Sequence, residues 1–256
     1  MTESTLLQVR RDGSVDHVVL NRPEVRNAFN EHLIADMAAW AGRAAQDVEL
    51  RAAVISGHGP VFCAGADLAW MSKMAAYSHE DNVRDATSAA AMFAAWDTLP
   101  VPVIARVHGA AIGGGAGLAA VADVVIASAD ATFGFTEVKL GLLPAIIAPY
   151  VLAKIGRSAA RELFLTGRRF TADEARQIGL VHAVVAADQL DATVRKYLDE
   201  ILSAGREAIA ASKALIRELS RVSETEGRRL SIDAIATQRA TPDAQTRMKG
   251  FLKKSL

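Results

Sequence analysis

The sequence has few of the features that mark disulfide-rich, nucleic-acid-binding or aromatic-rich proteins. Its single cysteine, Cys63, excludes an internal disulfide framework and fits a reducing compartment. Lysine plus arginine and aspartate plus glutamate number 29 each, so the formal net charge is zero. Broad binding to nucleic acid is therefore not expected. Aromatic residues make up only 5 % of the chain, and we expect a core of small aliphatic side chains.

The sequence also lacks a long apolar run and a set of metal ligands. Its most apolar stretch, residues 101–129, is interrupted by Arg106, His108, Asp123 and several glycines, whereas a membrane helix needs about 20 predominantly apolar residues. The first residues show no basic region followed by an apolar core, so no signal peptide is expected. No histidine, cysteine and carboxylate residues have metal-ligand spacing. We expect a cytoplasmic protein that binds neither membrane nor metal.

What the 256 residues do contain is the composition of a globular protein, 51 % hydrophobic and 23 % charged. Alternating apolar residues predict a hairpin over residues 7–19, and helical spacing after a capping Asn30 predicts a helix that ends near Ala45. Strands and helices then alternate, which favours an α/β fold with parallel strands. The other predicted strands are 52–56, 103–107 and 124–127, and the other predicted helices include 80–98, 188–220, 224–239 and one opened by Pro242.

Two glycine-containing segments could present backbone groups to a ligand. Residues 57–68 lead from a strand to a helix start, where a backbone N–H and the helix dipole favour negative charge. Residues 108–118 contain Gly113-Gly114-Gly115, which lets a ligand approach the backbone closely. No Gly-Lys-Ser/Thr or G-x-G-x-x-G pattern follows, so a phosphate or dinucleotide loop is not predicted. Ordinary packing accounts for each segment alone at least as well.

A third segment, residues 131–144, places Glu137 in an otherwise apolar stretch. A buried glutamate has a raised pKa and suits a general acid or base near neutral pH. The alternative is a surface glutamate paired with Lys139 or Arg157. Taken together, two backbone N–H donors can stabilise a carbonyl oxygen as it becomes an enolate, while Glu137 moves a proton at a nearby carbon. The combination indicates proton chemistry beside a thioester carbonyl.

In these segments the chain resembles the crotonase superfamily, also called the enoyl-CoA hydratase/isomerase superfamily. The likeness follows the order of nearly the whole chain, and the combination is far more specific than any single piece. Its segments are Leu20–Pro23 with Asn27-Ala28, Phe62–Leu68, the glycines at 113–115, Phe133–Pro144, Gly156, 159–167, Ala175, 179–181 and Val184-Val185.

The resemblance implies roles for particular positions of this chain. The oxyanion-hole donors of the family fall on the backbone N–H groups of Ala66 and Gly114, and a catalytic glutamate falls on Glu137. Phe251 and Lys254 match a C-terminal pair that helps to hold coenzyme A, often from a neighbouring subunit, although an ordinary basic tail is the alternative. The other coenzyme A contacts fall on Val25, Arg26, Ala28, Ala64, Asp67 and Leu68.

The resemblance also implies a fold, a substrate class and an assembly. The expected α/β fold is a crotonase-like spiral of ββα repeats over residues 1–190, which holds coenzyme A and the active site. A helical region over residues 191–256 is expected to mediate trimerisation. The expected partner is an acyl-CoA substrate, with coenzyme A as part of the thioester and no prosthetic group. Homotrimers, or hexamers built as dimers of trimers, are the expected assemblies.

One departure from the family bears on the reaction. Two-glutamate hydratases carry their second catalytic glutamate where this chain has Gly117, and residues 145–149 replace the usual glycine-rich continuation. A single glutamate resembles Δ3,Δ2-enoyl-CoA isomerases, in which one base shuttles a proton. Residues 137–149, however, also resemble hydratases of the methylglutaconyl-CoA type.

We favour a hydratase that adds water across the 2,3 double bond of a 2-enoyl-CoA, with branched and glutaconyl acyl groups among the candidates. Glu137 is then expected to deliver a proton to C2, and the water is activated either by Glu137 itself or by another group. The alternatives are an isomerase, a hydrolase or decarboxylase of the same family, and a non-catalytic acyl-CoA-binding or RNA-associated scaffold.

Neighbouring side chains have simpler expected roles. His108 is expected to make a structural hydrogen bond at the end of its strand, and Asp67 to cap the helix that follows it. Trp70, Met71 and Met74 either line an acyl pocket or fill the core.

Overall fold

A computed structural model describes residues 6–255 of the chain, and their side chains through residue 253. The strands are β1 Leu7–Asp12, β2 Val15–Leu20, β3 Ala52–Gly57, β4 Val103–Val107, β5 Ala110–Ile112, β6 Val124–Ser128, β7 Thr132–Gly134, β8 Arg169–Thr171 and β9 Ala183–Val185. The helices are α1 Glu31–Gln46, α2 Leu68–Met74, α3 His79–Asp97, α4 Gly114–Val121, α5 Ala148–Thr166, α6 Ala172–Gln177, α7 Leu190–Ser203, α8 Arg206–Leu219, α9 Glu224–Ala240 and α10 Pro242–Ser255. The expected α/β class is confirmed.

The larger of two sheets has the strand order β1-β2-β3-β4-β6-β9. The predicted hairpin, β1–β2, is its antiparallel pair, with Leu7 opposite Leu20, and the other neighbouring strands are parallel, as expected. The apolar runs of β3, β4 and β6 fit a parallel sheet that is covered on both faces. The smaller sheet, β5-β7-β8, consists of three-residue strands that are too short to show a periodic apolar pattern in the sequence.

Helices α1 and α3 cover one face of the larger sheet. Asn30 caps α1, because its side chain accepts a hydrogen bond from the N–H of Leu33 at 2.9 Å. Trp40 of α1 meets Trp96 of α3 with the ring centroids 4.5 Å apart. Trp96 and Phe62 are among the largest fully buried side chains. The core is therefore only partly aliphatic, and the expectation drawn from the low aromatic content is wrong in this respect.

Helix α7 covers the opposite face, where Val194 and Leu198 pack against Val54 and Ile104. No helix within residues 6–255 combines the length and the apolarity that crossing a membrane requires. The boundary near residue 190, between a spiral core and a helical region, stays a prediction.

The helix predicted over residues 188–220 is wrong as one element, because α7 and α8 are separate helices. The backbone is extended at Ala204 and Gly205, with ψ values of 168° and 129°. The guanidinium of Arg51 donates to the carbonyl of Ala204 at 2.7 Å, and glycine is a poor helix former. Both effects favour a break that hydrophobic periodicity cannot show.

Candidate active site

The three segments singled out in the sequence meet around one cavity of about 170 Å³. Ala66, Gly114 and Glu137 all line it. Glu137 is the only ionisable residue among the described residues that line the cavity. The rest of the wall is apolar and includes Phe29, Trp70, Met92, Phe93, Leu143 and Ile147.

Backbone pairing with Phe29 fixes the orientation of the N–H of Ala66. The N–H of Phe29 donates to the carbonyl of Gly65 at 2.7 Å, and the N–H of Asp67 donates to the carbonyl of Phe29 at 2.8 Å. The carbonyl of Gly65 and the N–H of Ala66 belong to one planar trans peptide group and point in opposite directions. The N–H of Ala66 therefore points away from the backbone of Phe29, and no hydrogen bond between backbone groups of residues 6–255 uses it.

The N–H of Gly114 is freed by its position as the first residue of α4, where an N–H has no intrahelical acceptor. The preceding Gly113 has φ 53° and ψ −119°, a conformation that favours glycine, and its own N–H donates to the carbonyl of Gly134 at 2.8 Å. A Cβ on Gly113 would lie 3.2 Å from Oε1 of Glu137. The turn therefore brings the start of α4 against the Glu137 carboxylate.

Cys63 ties the two loops together through its backbone. Its N–H donates to the carbonyl of Ala110, and its carbonyl accepts from the N–H of Ile112, both at 3.0 Å. The side chain is fully buried, and burial raises the pKa of the Cys63 thiol to about 12. The thiol is therefore protonated at neutral pH and is not an activated nucleophile.

Glu137 opens the short 3-10 helix Glu137–Leu140 and is half-buried. Its Oε2 atom is buried and has no hydrogen-bond partner in the described part of the chain. Burial raises the pKa of Glu137 above its ordinary value and outweighs the opposing hydrogen bond from its own backbone N–H. None of the ion pairs in the described part of the chain includes Glu137. The alternative of a surface glutamate paired with Lys139 or Arg157 is therefore wrong. A buried carboxylate with a raised pKa is suited to accept and deliver protons.

The space beside Gly117 is filled by Ile147. Gly117 is buried one turn into α4, and a Cβ there would lie 2.8 Å from the Cβ of Ile147, closer still to its Cγ2, and 3.4 Å from Phe93. A side chain at position 117 is excluded while Ile147 occupies this space. The absence of a glutamate at position 117 and the altered residues 145–149 look unrelated in the sequence. The packing of Ile147 against Gly117 links them.

The positions expected to contact coenzyme A lie on adjoining loops. The N–H of Ala64 donates to the carbonyl of Arg26 at 3.0 Å, which joins residues 25–28 to residues 64–68. Leu68 is 83 % exposed, whereas Asp67 is buried and caps α2 as expected. Val25 and Arg26 are exposed and Ala28 is buried.

The C-terminal pair is only partly described. Phe251 is exposed on α10, which packs against α9. Lys254 belongs to α10, but its side chain lies outside the described residues. The proposed role of this pair in holding coenzyme A stays a prediction.

Two further sequence expectations can be compared with the structure. His108 makes a structural contact, since its Nε2 lies 2.9 Å from the carbonyl oxygen of Gly59. Trp70 lines the cavity, whereas Met71 and Met74 are not among the described lining residues. Sequence reasoning missed Arg22, which forms a buried ion pair with Asp67. The only signal for it was its place in the Leu20–Pro23 segment of the resemblance.

Comparisons with known proteins agree with this geometry. Residues 10–255 match the family model described as enoyl-CoA hydratase/isomerase. A "Probable enoyl-CoA hydratase" of Mycobacterium tuberculosis is 36 % identical over 99 % of this chain and 97 % of its own length. A "Crotonyl-CoA hydratase" of Syntrophomonas wolfei is 33 % identical over 92 % of this chain and 90 % of its own. The crystal structure of an enoyl-CoA hydratase of Mycobacterium smegmatis matches with a TM-score of 0.93 and 33 % identity, covering 98 % of this chain and 97 % of that one.

Proposed function

Because the chain belongs to the enoyl-CoA hydratase/isomerase family, we propose that it is a hydratase that adds water across the 2,3 double bond of a 2-enoyl-CoA. The observation that carries the proposal is the meeting of Ala66, Gly114 and Glu137 around one apolar cavity. An enolate-forming reaction needs two N–H donors and one carboxylate; here the two N–H groups are used by no described backbone acceptor, and the carboxylate has one buried oxygen, Oε2, without a described partner. The relatives that are named hydratases support hydration over isomerisation as the reaction.

In the proposed complex, the thioester oxygen accepts hydrogen bonds from the N–H groups of Ala66 and Gly114. Negative charge develops on this oxygen as water adds at C3, and the N-terminal end of α4 favours that charge. Loss of one such donor typically costs about 3 kcal/mol of transition-state stabilisation. The N–H groups are fixed by the fold, so little reorganisation accompanies the charge.

Glu137 carries both proton transfers. As the carboxylate it accepts one proton from water while the water oxygen bonds to C3 and the thioester becomes an enolate. The protonated Glu137 then delivers that proton to C2, and the enolate returns to a thioester. One water is consumed and the carboxylate is regenerated, so the steps need no prosthetic group. The starting form of Glu137 is the ionised one, because it first accepts a proton from water.

The cavity favours a short, uncharged acyl group. Its volume of about 170 Å³ is below the range of roughly 300–1,000 Å³ that is usual for drug-sized ligands. No cationic side chain among the described residues lines it. Lys139 is exposed, and Arg84 is exposed and forms an ion pair with Asp81. A glutaconyl carboxylate would lack a partner there, which disfavours the glutaconyl candidate.

The proposal is tested by following crotonyl-CoA and 3-methylglutaconyl-CoA through the loss of enoyl-thioester absorbance and the mass of the product. We expect crotonyl-CoA to gain the mass of one water and 3-methylglutaconyl-CoA to react much more slowly. Preference for the glutaconyl substrate would overturn the inference about the acyl group. Absence of hydration with a series of 2-enoyl-CoA substrates would overturn the hydratase itself.

A second candidate, the Δ3,Δ2-enoyl-CoA isomerase, is favoured by one observation. Glu137 is the sole ionisable group among the described lining residues, and Ile147 fills the space beside Gly117. One carboxylate can move a proton from C2 to C4 without water. Conversion of a 3-enoyl-CoA to the 2-enoyl-CoA without a change of mass, and without hydration, would select this reaction.

The assembly is part of the same proposal. Ile216, Ile232 and Phe251 are 70 %, 59 % and 71 % exposed. They lie on α8, α9 and α10, which pack against one another in that order, and we take these side chains as part of a subunit interface. A homotrimer or a dimer of trimers would bury them, and analytical ultracentrifugation distinguishes both from a monomer.

The cytoplasmic location stays a prediction. A scaffold that binds RNA is disfavoured by the zero net charge.

The rate of hydration should fall on acidification, at a higher pH than an exposed glutamate would give. Glu137 must be ionised to accept a proton from water, and burial raises its pKa. The inactive, protonated form therefore accumulates at a higher pH than it would for an exposed glutamate. The pH profile of kcat/KM reports this ionisation in the free enzyme. If the same acidic limb persisted in the residual activity of Glu137→Gln, the ionisation would belong to another group.

A further inference from the structure

The residue directly after Ala66 forms a buried ion pair with a residue from the hairpin end. Nη2 of Arg22 donates to Oδ2 of Asp67 at 2.7 Å, and the two side chains are only 10 % and 8 % exposed. Nη1 of the same guanidinium donates to the carbonyl of Ala28 at 2.5 Å. Arg22 therefore contacts both of the loops that meet beside Ala66.

These contacts begin a continuous chain of hydrogen bonds that ends at the cavity. The carbonyl of Ala28, which accepts from Arg22, shares a peptide group with the N–H of Phe29, and that N–H donates to the carbonyl of Gly65 at 2.7 Å. The carbonyl of Gly65 shares a peptide group with the N–H of Ala66. The two planar peptide groups point the same way, so the positive charge of Arg22 stands at one end of the chain and the N–H of Ala66 at the other.

Asp67 holds the guanidinium in place. Its N–H donates to the carbonyl of Phe29 at 2.8 Å, and its Oδ1 accepts from the N–H of Ala69 at 2.7 Å. Burial alone would raise the pKa of Asp67, but the hydrogen bonds from Arg22 and from the N–H groups at the start of α2 outweigh burial and lower it. Asp67 is therefore ionised at neutral pH, and the partner of Arg22 is an anion fixed at three of its atoms.

Burial of the Arg22–Asp67 ion pair carries an energetic cost that stability alone does not require. Removing two charges from water is unfavourable, and apolar residues of similar volume often stabilise a fold equally well. Nε of Arg22 is in addition buried without a partner in the described part of the chain, which adds to the cost. A role in the reaction explains this arrangement better than stability does.

We propose that Arg22 is a positioning residue that aims and polarises the N–H of Ala66 through the peptide groups of Ala28–Phe29 and Gly65–Ala66. This inference rests on the proposed function, because it requires the N–H of Ala66 to bind the thioester oxygen. Hydrogen bonds in a chain strengthen one another, and a charge at the head of the chain adds to the effect. The two N–H donors would then be polarised in different ways. The N-terminal end of α4 polarises the N–H of Gly114, and the cation of Arg22, two peptide groups away, polarises the N–H of Ala66.

The test compares two pairs of substitutions that each neutralise both members of an arginine–aspartate ion pair. Arg22→Met/Asp67→Asn removes the ion pair that is proposed to position the N–H of Ala66. Arg11→Met/Asp16→Asn is the control, because Asp16 has a side chain that is likewise 8 % exposed and forms an ion pair with Arg11. Arg11 also pairs with Asp47, whose side chain is 31 % exposed and stays in contact with water in the control. Neither Arg11 nor Asp16 lines the cavity. Arg22→Lys is a third variant, which keeps the charge but lacks the planar fork that binds two acceptors.

The readouts separate positioning from stability. For Arg22→Met/Asp67→Asn we expect kcat for crotonyl-CoA to fall roughly 10- to 100-fold, since small displacements of an oxyanion donor have effects of this order. KM is compared in Arg22→Lys, which keeps Asp67, an expected coenzyme A contact, and it should be little changed there. In a Glu137→Gln background, which blocks turnover, infrared difference spectroscopy of bound crotonyl-CoA should show the carbonyl band shifted toward its frequency in water. Arg22→Lys should lie between this variant and the unsubstituted protein. The control pair should lower Tm without moving kcat or the band.

Unchanged kcat and an unchanged band in folded Arg22 variants would overturn the inference, as would an equal loss of kcat in the control pair. If the Arg22→Met/Asp67→Asn protein does not fold, Arg22→Lys decides by the same two readouts. Failure of the unsubstituted protein to hydrate any 2-enoyl-CoA would instead overturn the proposed function. The infrared band of a bound thioester would still report whether Arg22 polarises the N–H of Ala66.

Discussion

Glu137→Gln is expected to lower kcat for hydration roughly 100- to 10,000-fold, the usual range for loss of a general acid–base group. Glutamine keeps the size of the side chain but neither accepts a proton from water nor delivers one to C2. Binding of the thioester should survive, because the N–H groups of Ala66 and Gly114 are unaffected. Steady-state kinetics with crotonyl-CoA and direct binding of a saturated acyl-CoA measure the two properties separately.

The same substitution should leave the protein at least as stable at neutral pH. The folded-state pKa of Glu137 is raised by burial, so the stability it contributes is present below its unfolded pKa and is lost as pH rises through the folded pKa. At neutral pH the folded protein holds a buried carboxylate whose Oε2 lacks a described partner, and Glu137→Gln removes that charge. Tm at neutral pH should therefore rise or stay constant, and the difference should shrink on acidification.

Glu200→Gln is the matched control, since Glu200 is exposed on α7 and does not line the cavity. It should change neither kcat nor the pH dependence of Tm. Turnover of Glu137→Gln at the rate of the unsubstituted protein would remove Glu137 from the mechanism. A strong loss of Tm in Glu137→Gln would mean that the ionised carboxylate stabilises the fold, whereas a raised pKa indicates that ionisation destabilises it.

Local signals in the sequence account for much of the fold. Asn30 caps α1 as predicted, and the sequence Thr171–Glu174 gives a capping box, in which Glu174 accepts from the N–H of Thr171 at 2.8 Å and Thr171 accepts from the N–H of Glu174 at 3.2 Å. Such signals act over a few residues and need no tertiary contact. The three-residue strands β5 and β7–β9 have no such signal, because they exist only through pairing with distant strands.

The candidate site shows the same limit at the level of single residues. Ala66, Gly114 and Glu137 follow from the resemblance, and the structure brings all three to one cavity. The burial of Glu137 depends on long-range packing and could not be decided from the apolar residues beside it. The Arg22–Asp67 pair joins positions 45 residues apart, and each residue alone looks like an ordinary charged residue at a turn or a helix cap. Pairings of this kind have no periodicity and become visible only in three dimensions.

The close packing of Ile147 against Gly117 predicts a large loss of stability when either residue is changed. Gly117→Ala should lower the free energy of unfolding by about 1–3 kcal/mol, the usual cost of overpacking a core, because the new Cβ would lie 2.8 Å from the Cβ of Ile147 and closer still to its Cγ2. Ile147→Ala should cost about 2–5 kcal/mol through the cavity it leaves. The double variant should be more stable than the sum of the two losses predicts, by about 0.5–3 kcal/mol.

Urea unfolding of the four proteins measures this coupling directly, and strictly additive losses would contradict the packing argument. The coupling also bears on the chemistry, because only removal of Ile147 makes room for a second carboxylate in the cavity. Gly117→Glu should therefore fold poorly alone and better together with Ile147→Ala. If a carboxylate at position 117 can hold the attacking water, the double variant should hydrate crotonyl-CoA faster than Ile147→Ala alone. Equal rates would mean that Glu137 already performs both proton transfers, and that Ile147 keeps the cavity a one-carboxylate site without loss of rate.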